Sequence, residues 1–167
     1  CTWNVDAFTK LLLHSDAADG STSFLDASGR THGITRSGDV QHSTAQKKFG
    51  SSALLFDGTG DMLTVGASTD FDFGTADVTI DLWVHTTQTS NARIIGRGAH
   101  PKEWFLRAHT EEGEYVKANI GDSVVQLSSS PEKVSGLGWK HVAIVRTAAK
   151  LELFVDGVSI DSKAVSG

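Results

Sequence analysis

Residues 138–161, GWKHVAIVRTAAKLELFVDGVSID, contain the pattern that decides the fold. Asp156-Gly157 lies between two runs of strand-forming residues, and Asp-Gly supplies the two positive φ angles of a type I′ hairpin turn. A two-residue turn sets the register, in which Leu153 opposes Ile160. Alternation then predicts one apolar and one mixed side of the hairpin. The apolar side is Leu151, Leu153, Val155, Val158 and Ile160, and the mixed side is Glu152, Phe154, Ser159 and Asp161.

A third strand precedes this hairpin. Val142 and Ile144 alternate with other residues, and residues 147–150 form a short connection to the next strand. Residues 78–85, VTIDLWVH, show the same period of two. The sequence therefore predicts three consecutive antiparallel strands near its end and a separate strand over residues 78–85.

The composition indicates one folded domain of ordinary size. The 167 residues suffice for a two-layer core, and 17 glycines with only 2 prolines suit many turns between short strands. A net charge of −5 argues against nucleic acid as a partner. No window holds the ~20 apolar residues of a membrane span, so we expect no membrane insertion. Cys1 is the only cysteine, so the chain forms no internal disulfide.

Further short strands are predicted along the rest of the chain. We expect residues 1–10 to be a linker or an edge segment and residues 11–14 to form the first strand. Residues 52–56 and 62–65 flank a glycine-rich connection and are predicted to pair as a hairpin, and residues 45–50 are predicted to form one helical turn. Roughly ten or eleven short strands without a helical period predict an all-β fold, a two-sheet antiparallel β-sandwich of the jelly-roll type.

Several segments together resemble one family. They are LLLHSD (11–16), DGSTSFLDASG (19–29), KFGSSALLFDGTGD (48–61), DFDFG (70–74), VTIDLWV (78–84), WKHVA (139–143) and FVDG (154–157). Their order and spacing resemble the LamG-like jelly-roll domains of the concanavalin A-like lectin/glucanase superfamily. The resemblance implies one such domain over residues 11–167, of the kind found in extracellular proteins and in phage tail or other virion proteins.

The resemblance also implies one more strand than the sequence shows. Family members continue past the Asp-Gly hairpin to a closing strand with an Ile-Asp-Glu-like segment, whereas this chain stops at Gly167. Either the sequence is truncated, or residues 1–10 or a partner chain fill the gap. An unfilled gap exposes backbone donors and acceptors and favours strand addition by a neighbouring chain in an assembly.

Catalysis is not predicted. Relatives that cleave β-glucans carry a Glu-x-Asp-x-x-Glu-like strand, because retaining hydrolysis needs two carboxyl groups about 5–5.5 Å apart. The nearest acidic strand here carries Asp77 and Asp81, with Leu82 and Trp83 where further acids are needed. Residues 111–114 are interpreted as a solvated hairpin tip, and no Gly-x-Ser-x-Gly elbow is present.

An acidic loop offers a candidate calcium site. Asp16, Asp19 and Asp26 supply hard oxygen ligands suited to Ca²⁺, and the resemblance implies structural calcium in loops near the rim of the sandwich. The alternative is that these aspartates cap the backbone of their own turns. The seven histidines show no zinc-ligand spacing.

One mixed sheet face is predicted to bind a glycan. Its candidate residues are Asp81, Trp83, His85, Arg107, His109, Lys117, Asn119 and His141, with Trp104 as an exposed aromatic at a loop end. Aromatic rings suit the apolar side of a sugar, and polar groups suit its hydroxyls. The predicted carbohydrate-binding set is Trp83, His85, Trp104, Arg107, His109 and Asn119. The alternative is that Trp83 and Phe105 pack in the second sheet and the polar groups are merely solvated.

The sequence therefore predicts a non-catalytic module that binds glycans or another surface ligand, or mediates attachment, in an extracellular or virion protein. The alternative is a purely structural domain that decorates or oligomerises such an assembly and binds no small ligand. Fold alone does not distinguish the two.

Overall fold

A computed structural model describes residues 5–87, 91–98, 104–109, 115–120, 126–129, 134–136 and 138–165. Within these residues the secondary structure is antiparallel β-sheet with one short 3₁₀ turn, which confirms the all-β prediction. The chain divides into two compact units, Cys1–Phe71 and Asp72–Gly167. No helix in the described residues is long and apolar enough to cross a membrane.

The first unit contains two small sheets. Strand β1 (Ile34–Ser37) pairs with β4 (Met62–Val65), and β2 (Gln41–Ser43) pairs with β3 (Ala53–Leu55). The 3₁₀ turn, Thr69–Phe71, ends this unit.

The second unit is a β-sandwich built from two four-stranded sheets. The first sheet consists of β5 (Val78–His85), β10 (Trp139–Arg146), β11 (Lys150–Val155) and β12 (Val158–Ala164), in the order β12-β11-β10-β5. The second sheet consists of β6 (Ala92–Arg97), β7 (Trp104–His109), β8 (Tyr115–Ile120) and β9 (Leu127–Ser128), in chain order. Strand β9 lies beside β11 and β12, so the two sheets meet along that edge.

The core follows the period of two that the sequence shows. On β11, Leu151, Leu153 and Val155 are buried, and their cross-strand partners on β10 include the buried Val142 and Ile144. Strand β5 alternates between half-buried and exposed side chains along its whole length, as predicted. In the second sheet the fully buried side chains of the described residues include Leu106, Ala118, Ile120 and Leu127. Each sheet of this unit therefore has one side in the core.

The Asp-Gly turn has the predicted geometry. Asp156 and Gly157 have φ angles of 50° and 80°, which are the left-handed values of a type I′ turn. Val155 and Val158 oppose each other at the turn. Consecutive pairing of β10, β11 and β12 confirms the three-stranded prediction for the end of the chain.

The register beyond this turn differs from the prediction. A bulge lies between Leu153 and Phe154 in the pairing, and Leu153 consequently opposes Asp161 rather than Ile160. Val158, predicted to be apolar core, is 60% exposed. The extra residue on β12 moves Asp161 to the side of Leu153, because each one-residue slip exchanges the two sides of a strand.

Two side chains of β12 connect it to the second sheet. The carboxylate Oδ2 of Asp161 accepts a hydrogen bond of 3.0 Å from the backbone N–H of Ser128. The ammonium of Lys163 donates to the carbonyl oxygen of Gln126 at 2.8 Å. Inward-pointing charges on an outermost strand discourage pairing with another chain, so β12 is a poorer site for strand addition than the sequence suggested.

The predicted hairpin over residues 52–65 is wrong. Strand β3 pairs with β2 and β4 pairs with β1, so the glycine-rich loop joins strands of two different sheets. The carboxylate of Asp61 accepts hydrogen bonds from the N–H groups of Asp57 and Asp39, which attaches this loop to the β1–β2 turn. Local turn chemistry resembles a hairpin here, but the side-chain bonds direct the pairing elsewhere.

Two other local predictions also fail. Residues 11–14 form no strand, because the N–H of Leu12 donates to the Asp26 carboxylate and its carbonyl accepts from Ala27. Residues 45–50 form bends instead of a helical turn. Side chains with oxygen acceptors compete with the backbone for N–H donors, and in this region they prevail.

Candidate functional site

The outward side of β5 and β10 carries a compact group of aromatic and polar side chains. We call Asp81, Trp83, His85, Trp139 and His141 the Trp–His face. Their positions follow from register, since His85 opposes Trp139 and Trp83 opposes His141 across the two strands. All five project away from the side that carries Val142 and Ile144 in the core.

The rings of this face contact one another in pairs. The ring centroids of Trp83 and His141 are 5.2 Å apart, and those of His85 and Trp139 are 5.6 Å apart, both in tilted arrangements. The Nε2 atom of His141 lies 3.4 Å from Oδ1 of Asp81. Trp83 is 37% exposed, so part of its indole is open to solvent. The result is an aromatic surface with an imidazole and a carboxylate beside it.

The hairpin turn holds one edge of the Trp–His face in place. The carboxylate of Asp156 accepts a hydrogen bond from the N–H of His141 at 3.0 Å, and the N–H of Asp156 donates to the His141 carbonyl at 2.9 Å. Lys140 lies 2.8 Å from the other carboxylate oxygen of Asp156. The Lys140 side chain, and next the His141 N–H, lower the pKa of Asp156. Asp156 therefore acts on the site by positioning His141.

The chain matches a laminin G-type family model described as the concanavalin A-like lectin/glucanases superfamily. The match covers residues 57–167, about two thirds of the chain. The chain belongs to this superfamily. A comparison with curated protein sequences gave no match.

Solved structures with a similar fold include three binding domains of botulinum neurotoxins. The receptor binding domain of the C/D mosaic serotype has a TM-score of 0.66 at 15% identity, covering 87% of this chain and 38% of that chain. A structure of botulinum neurotoxin type C, a toxin whose cell entry depends on interaction with two ganglioside molecules, has a TM-score of 0.61 at 13% identity, covering 89% of this chain and 38% of that chain. The binding domain of botulinum neurotoxin DC in complex with rat synaptotagmin II has a TM-score of 0.61 at 11% identity, covering 88% of this chain and 38% of that chain. The chain thus spans about two fifths of each neighbour, and at these identities the likeness establishes the fold alone.

In this superfamily member the predicted glycan-binding residues do not share one face. Trp83 and His85 lie on β5 in the first sheet, whereas Arg107 and Asn119 lie on β7 and β8 in the second sheet. His109 ends β7, and its side chain is outside the described residues. The prediction that these residues share a single mixed face was wrong, because β5 pairs with the distant β10 instead of with a strand near it in sequence.

Trp104 does not form the exposed platform that the sequence predicted. Its side chain is only 9% exposed, and its ring centroid lies 5.2 Å from that of Phe73. Trp104 therefore belongs to the packed interior at the start of β7. Asn119 is also buried, at 6% exposure.

Trp139 was absent from the predicted glycan-binding face. Trp139 becomes a candidate only when β10 is placed beside β5, because its neighbour on the face is His85, while the same pairing places the predicted His141 opposite Trp83. The available signal was the alternation of both strands, which already placed these residues on outward positions. The sequence did not show which strand pairs with β5.

The three aspartates predicted to bind calcium each hold backbone in place. Asp16 accepts the N–H of Ser51 at 2.7 Å, and Asp19 accepts the N–H of Thr44 at 2.8 Å. The Thr44 N–H is the main cause that lowers the pKa of Asp19. Asp16 and Asp19 thus bind backbone that is distant in sequence, whereas the alternative interpretation had them capping their own turns. Calcium at these carboxylates stays a prediction.

Asp26 connects two segments of the first unit. Partial burial raises the pKa of Asp26, but hydrogen bonds from the side chain and N–H of Ser28, and from the N–H groups of Leu12 and His32, outweigh it and lower the pKa. The Ser28 hydroxyl donates at 2.8 Å and the Leu12 N–H at 3.1 Å. The ionised carboxylate is therefore the form that this loop stabilises.

A different acidic group has the spacing that a cation requires. Within the described residues, Asp39, Asp57 and Asp61 have carboxylate oxygens within 4.8 Å of one another. A side-chain hydrogen bond with Asp61, and next the charges of Asp61 and Asp57, raise the pKa of Asp39. Oxygen ligands of this kind suit Ca²⁺. Asp61 also holds the backbone of the other two aspartates, so this cluster has a structural role without any ion.

Proposed function

We propose that this chain is a non-catalytic module that binds a glycan through the Trp–His face, and that it serves attachment in an extracellular or virion protein. The observation that carries the proposal is the partly exposed indole of Trp83 beside His141, whose imidazole lies 3.4 Å from Asp81. This combination presents an apolar surface and hydrogen-bonding groups within one small area.

The chemistry of a sugar ring fits this face. A pyranose has an apolar side formed by C–H groups, which packs on an aromatic ring, and hydroxyls that donate to carboxylates or exchange hydrogen bonds with imidazoles. On this face Trp83 supplies the ring, and Asp81 and His141 supply the polar partners. Because the backbone around His141 is fixed by Asp156, little ordering is needed on binding.

Two considerations support binding instead of hydrolysis. In the sequence, Leu82 and Trp83 stand where β-glucan hydrolases of the superfamily carry further acids. The neurotoxin neighbours with this fold include receptor binding or binding domains, and the type C toxin interacts with gangliosides. An extracellular or virion setting rests on the resemblance to LamG-like domains of those proteins.

A glycan array tests this function directly. We expect saccharide binding by the unmodified chain and its loss in Trp83→Ala. Phe49→Ala is the matched control, because Phe49 is a 60% exposed aromatic in the first unit and lies outside the Trp–His face. Thermal melting of both variants verifies that they are folded. An array without binding would contradict the proposal and favour the purely structural, decorating or oligomerising domain.

A further inference from the structure

Three cationic side chains cross the second sheet in direct register. Arg93 on β6 opposes Arg107 on β7, and Arg107 opposes Lys117 on β8. We call these three residues the cationic row. They lie on the side of the sheet opposite to Leu106 and Ala118 of the core, since Arg107 and Lys117 each neighbour one of these in sequence and Arg93 pairs with Arg107. Arg93 is exposed and the other two are half-buried, so solvent reaches the row.

An aromatic ring on the same side organises the two guanidinium groups. The guanidinium carbons of Arg107 and Arg93 lie 5.0 Å and 6.0 Å from the ring centroid of Phe105. These distances fit cation–π contacts, which hold a planar guanidinium against a ring. Gly96 opposes Phe105 and leaves room for it, because a Cβ at Gly96 would lie only 3.0 Å from the Phe105 Cβ. The two arginines of the row are thus held in position before any ligand arrives.

Two buried polar atoms beside the row have no hydrogen-bond partner among the residues that the structure describes. They are Nε of Arg107, a donor, and Oδ1 of Asn119, an acceptor. Asn119 is 6% exposed and lies opposite Phe105, so it sits on the same side as the row. An unsatisfied buried polar atom is unfavourable by about 1–3 kcal/mol, and such groups call for a missing partner.

We propose that the cationic row is a second binding site, which takes the carboxylate or sulfate of an acidic saccharide. An anionic group satisfies the Arg107 guanidinium through charge-assisted hydrogen bonds, and a neighbouring sugar hydroxyl donates to Oδ1 of Asn119. An acidic sugar carries an anionic group and hydroxyl donors on one rigid ring, so it suits the neighbouring Arg107 and Asn119. The site lies on a different sheet from the Trp–His face, and it shares with the proposed function only the saccharide class of the ligand.

The test measures binding of the whole chain to three soluble polymers at low and at physiological salt. Polygalacturonate carries carboxylates, dextran sulfate carries sulfates, and dextran is neutral. We expect binding to one or both acidic polymers, weakened by salt because exposed charges are screened. Arg107→Gln is expected to weaken this binding about tenfold, and Lys117→Gln severalfold, as loss of charge-assisted hydrogen bonds predicts. The polymer that binds shows whether the site takes a carboxylate or a sulfate.

Controls separate this site from general attraction and from unfolding. Lys150→Gln removes the same charge from a strand of the other sheet and is expected to bind acidic polymers as the unmodified chain does. Arg107→Lys keeps the charge but not the planar fork, and an affinity between those of the Arg and Gln forms supports direct contact. Melting curves identify any variant that fails to fold. If Arg107→Gln fails to fold, Lys117→Gln provides the comparison at the other half-buried position of the row.

Several results would overturn the inference. They are absence of binding to both acidic polymers, equal weakening by Lys150→Gln, and equally strong binding of polyglutamate or DNA, which indicates attraction without sugar recognition. The variant Trp83→Ala distinguishes a failure of the proposed function from a failure of this inference. If acidic polymers still bind while no array glycan depends on Trp83, the cationic row stands and the Trp–His face does not.

Discussion

The carboxylate of Asp161 accepts a hydrogen bond of 3.0 Å from the backbone N–H of Ser128, and this bond joins the outermost strand of one sheet to the last strand of the other. The bond exists because the bulge opposite Leu153 turns Asp161 toward the core side of β12. A single extra residue in one strand thereby determines how the edge of the sandwich is closed.

Removing this carboxylate is expected to destabilise the second unit. Asp161→Ala leaves the N–H of Ser128 without its acceptor, and the free energy of unfolding should fall by about 1–3 kcal/mol. Urea denaturation followed by fluorescence measures the change. Asp77→Ala, at an exposed aspartate, should stay within about 0.5 kcal/mol of the unmodified chain. Equal stability of the two variants would show that the Asp161 bond contributes nothing.

Inward charges on β12 are expected to keep the chain from associating through that edge. Lys163→Val removes the ammonium that donates to the carbonyl of Gln126 and makes the edge strand apolar. We expect this variant to form dimers or larger species at concentrations where the unmodified chain does not, because edge charges oppose strand addition. Size-exclusion chromatography with light scattering measures the mass. A variant as monomeric as its parent contradicts the assigned role.

Gly96 is expected to tolerate no side chain. A Cβ at this position would lie 2.6 Å from the carbonyl oxygen of Trp104, which is a backbone atom and cannot rotate away. Gly96→Ala should destabilise the chain by about 1–3 kcal/mol, as overpacking in cores does. Gly33→Ala is the control, since no atom lies within 4 Å of its added Cβ. Thermal melting of both variants provides the comparison, and equal midpoints would contradict the predicted clash.

Stability should depend on the ionisation of Asp26. Its pKa in the folded chain is lowered, because hydrogen bonds from Ser28 and from backbone N–H groups outweigh the opposing effect of burial. The carboxylate therefore stabilises the fold fully above its unfolded pKa of about 3.9, and this contribution is lost as pH falls through the lower folded value. Asp26→Ala should be less stable at pH 7 and should lose less stability between pH 5 and 2. Denaturant titrations at each pH measure this, and parallel pH profiles would refute it.

Calcium, predicted from the sequence, is tested by melting in calcium and in chelator. We expect a higher midpoint with calcium, because an ion that binds only the folded state stabilises it. Asp16→Asn removes a ligand of the predicted set, and Asp39→Asn removes one from the cluster with Asp57 and Asp61. The variant that abolishes the calcium effect identifies the site. An unchanged midpoint in the unmodified chain would rule out the prediction.

Strand patterns in the second unit were predicted well from sequence. Alternation located β5 and the order β10-β11-β12, and the Asp156-Gly157 turn was identified with its backbone geometry. In these places the local signal and the final packing agree, since one side of each strand must be buried. In the first unit the local signal failed, because carboxylates such as Asp61 and Asp26 bind backbone N–H groups far away in sequence.

The candidate sites required information that no local pattern contains. Trp139 became part of the Trp–His face only through the pairing of β10 with β5, which lies more than fifty residues earlier in the chain. Arg107 and Asn119 were predicted together with Trp83, yet sheet order assigns them to the other sheet of the sandwich.

By itself the sequence determined the all-β class, the jelly-roll type and the type I′ turn, because side-chain alternation and turn residues act over a few positions. Only the tertiary structure decided which strands are neighbours, where the bulge in the β11–β12 pairing turns Asp161, and which polar groups lie side by side. These features depend on long-range hydrogen bonds and on the packing of two sheets. Their free energies are summed over residues distant in sequence, so no single segment of the sequence contains a pattern that predicts them.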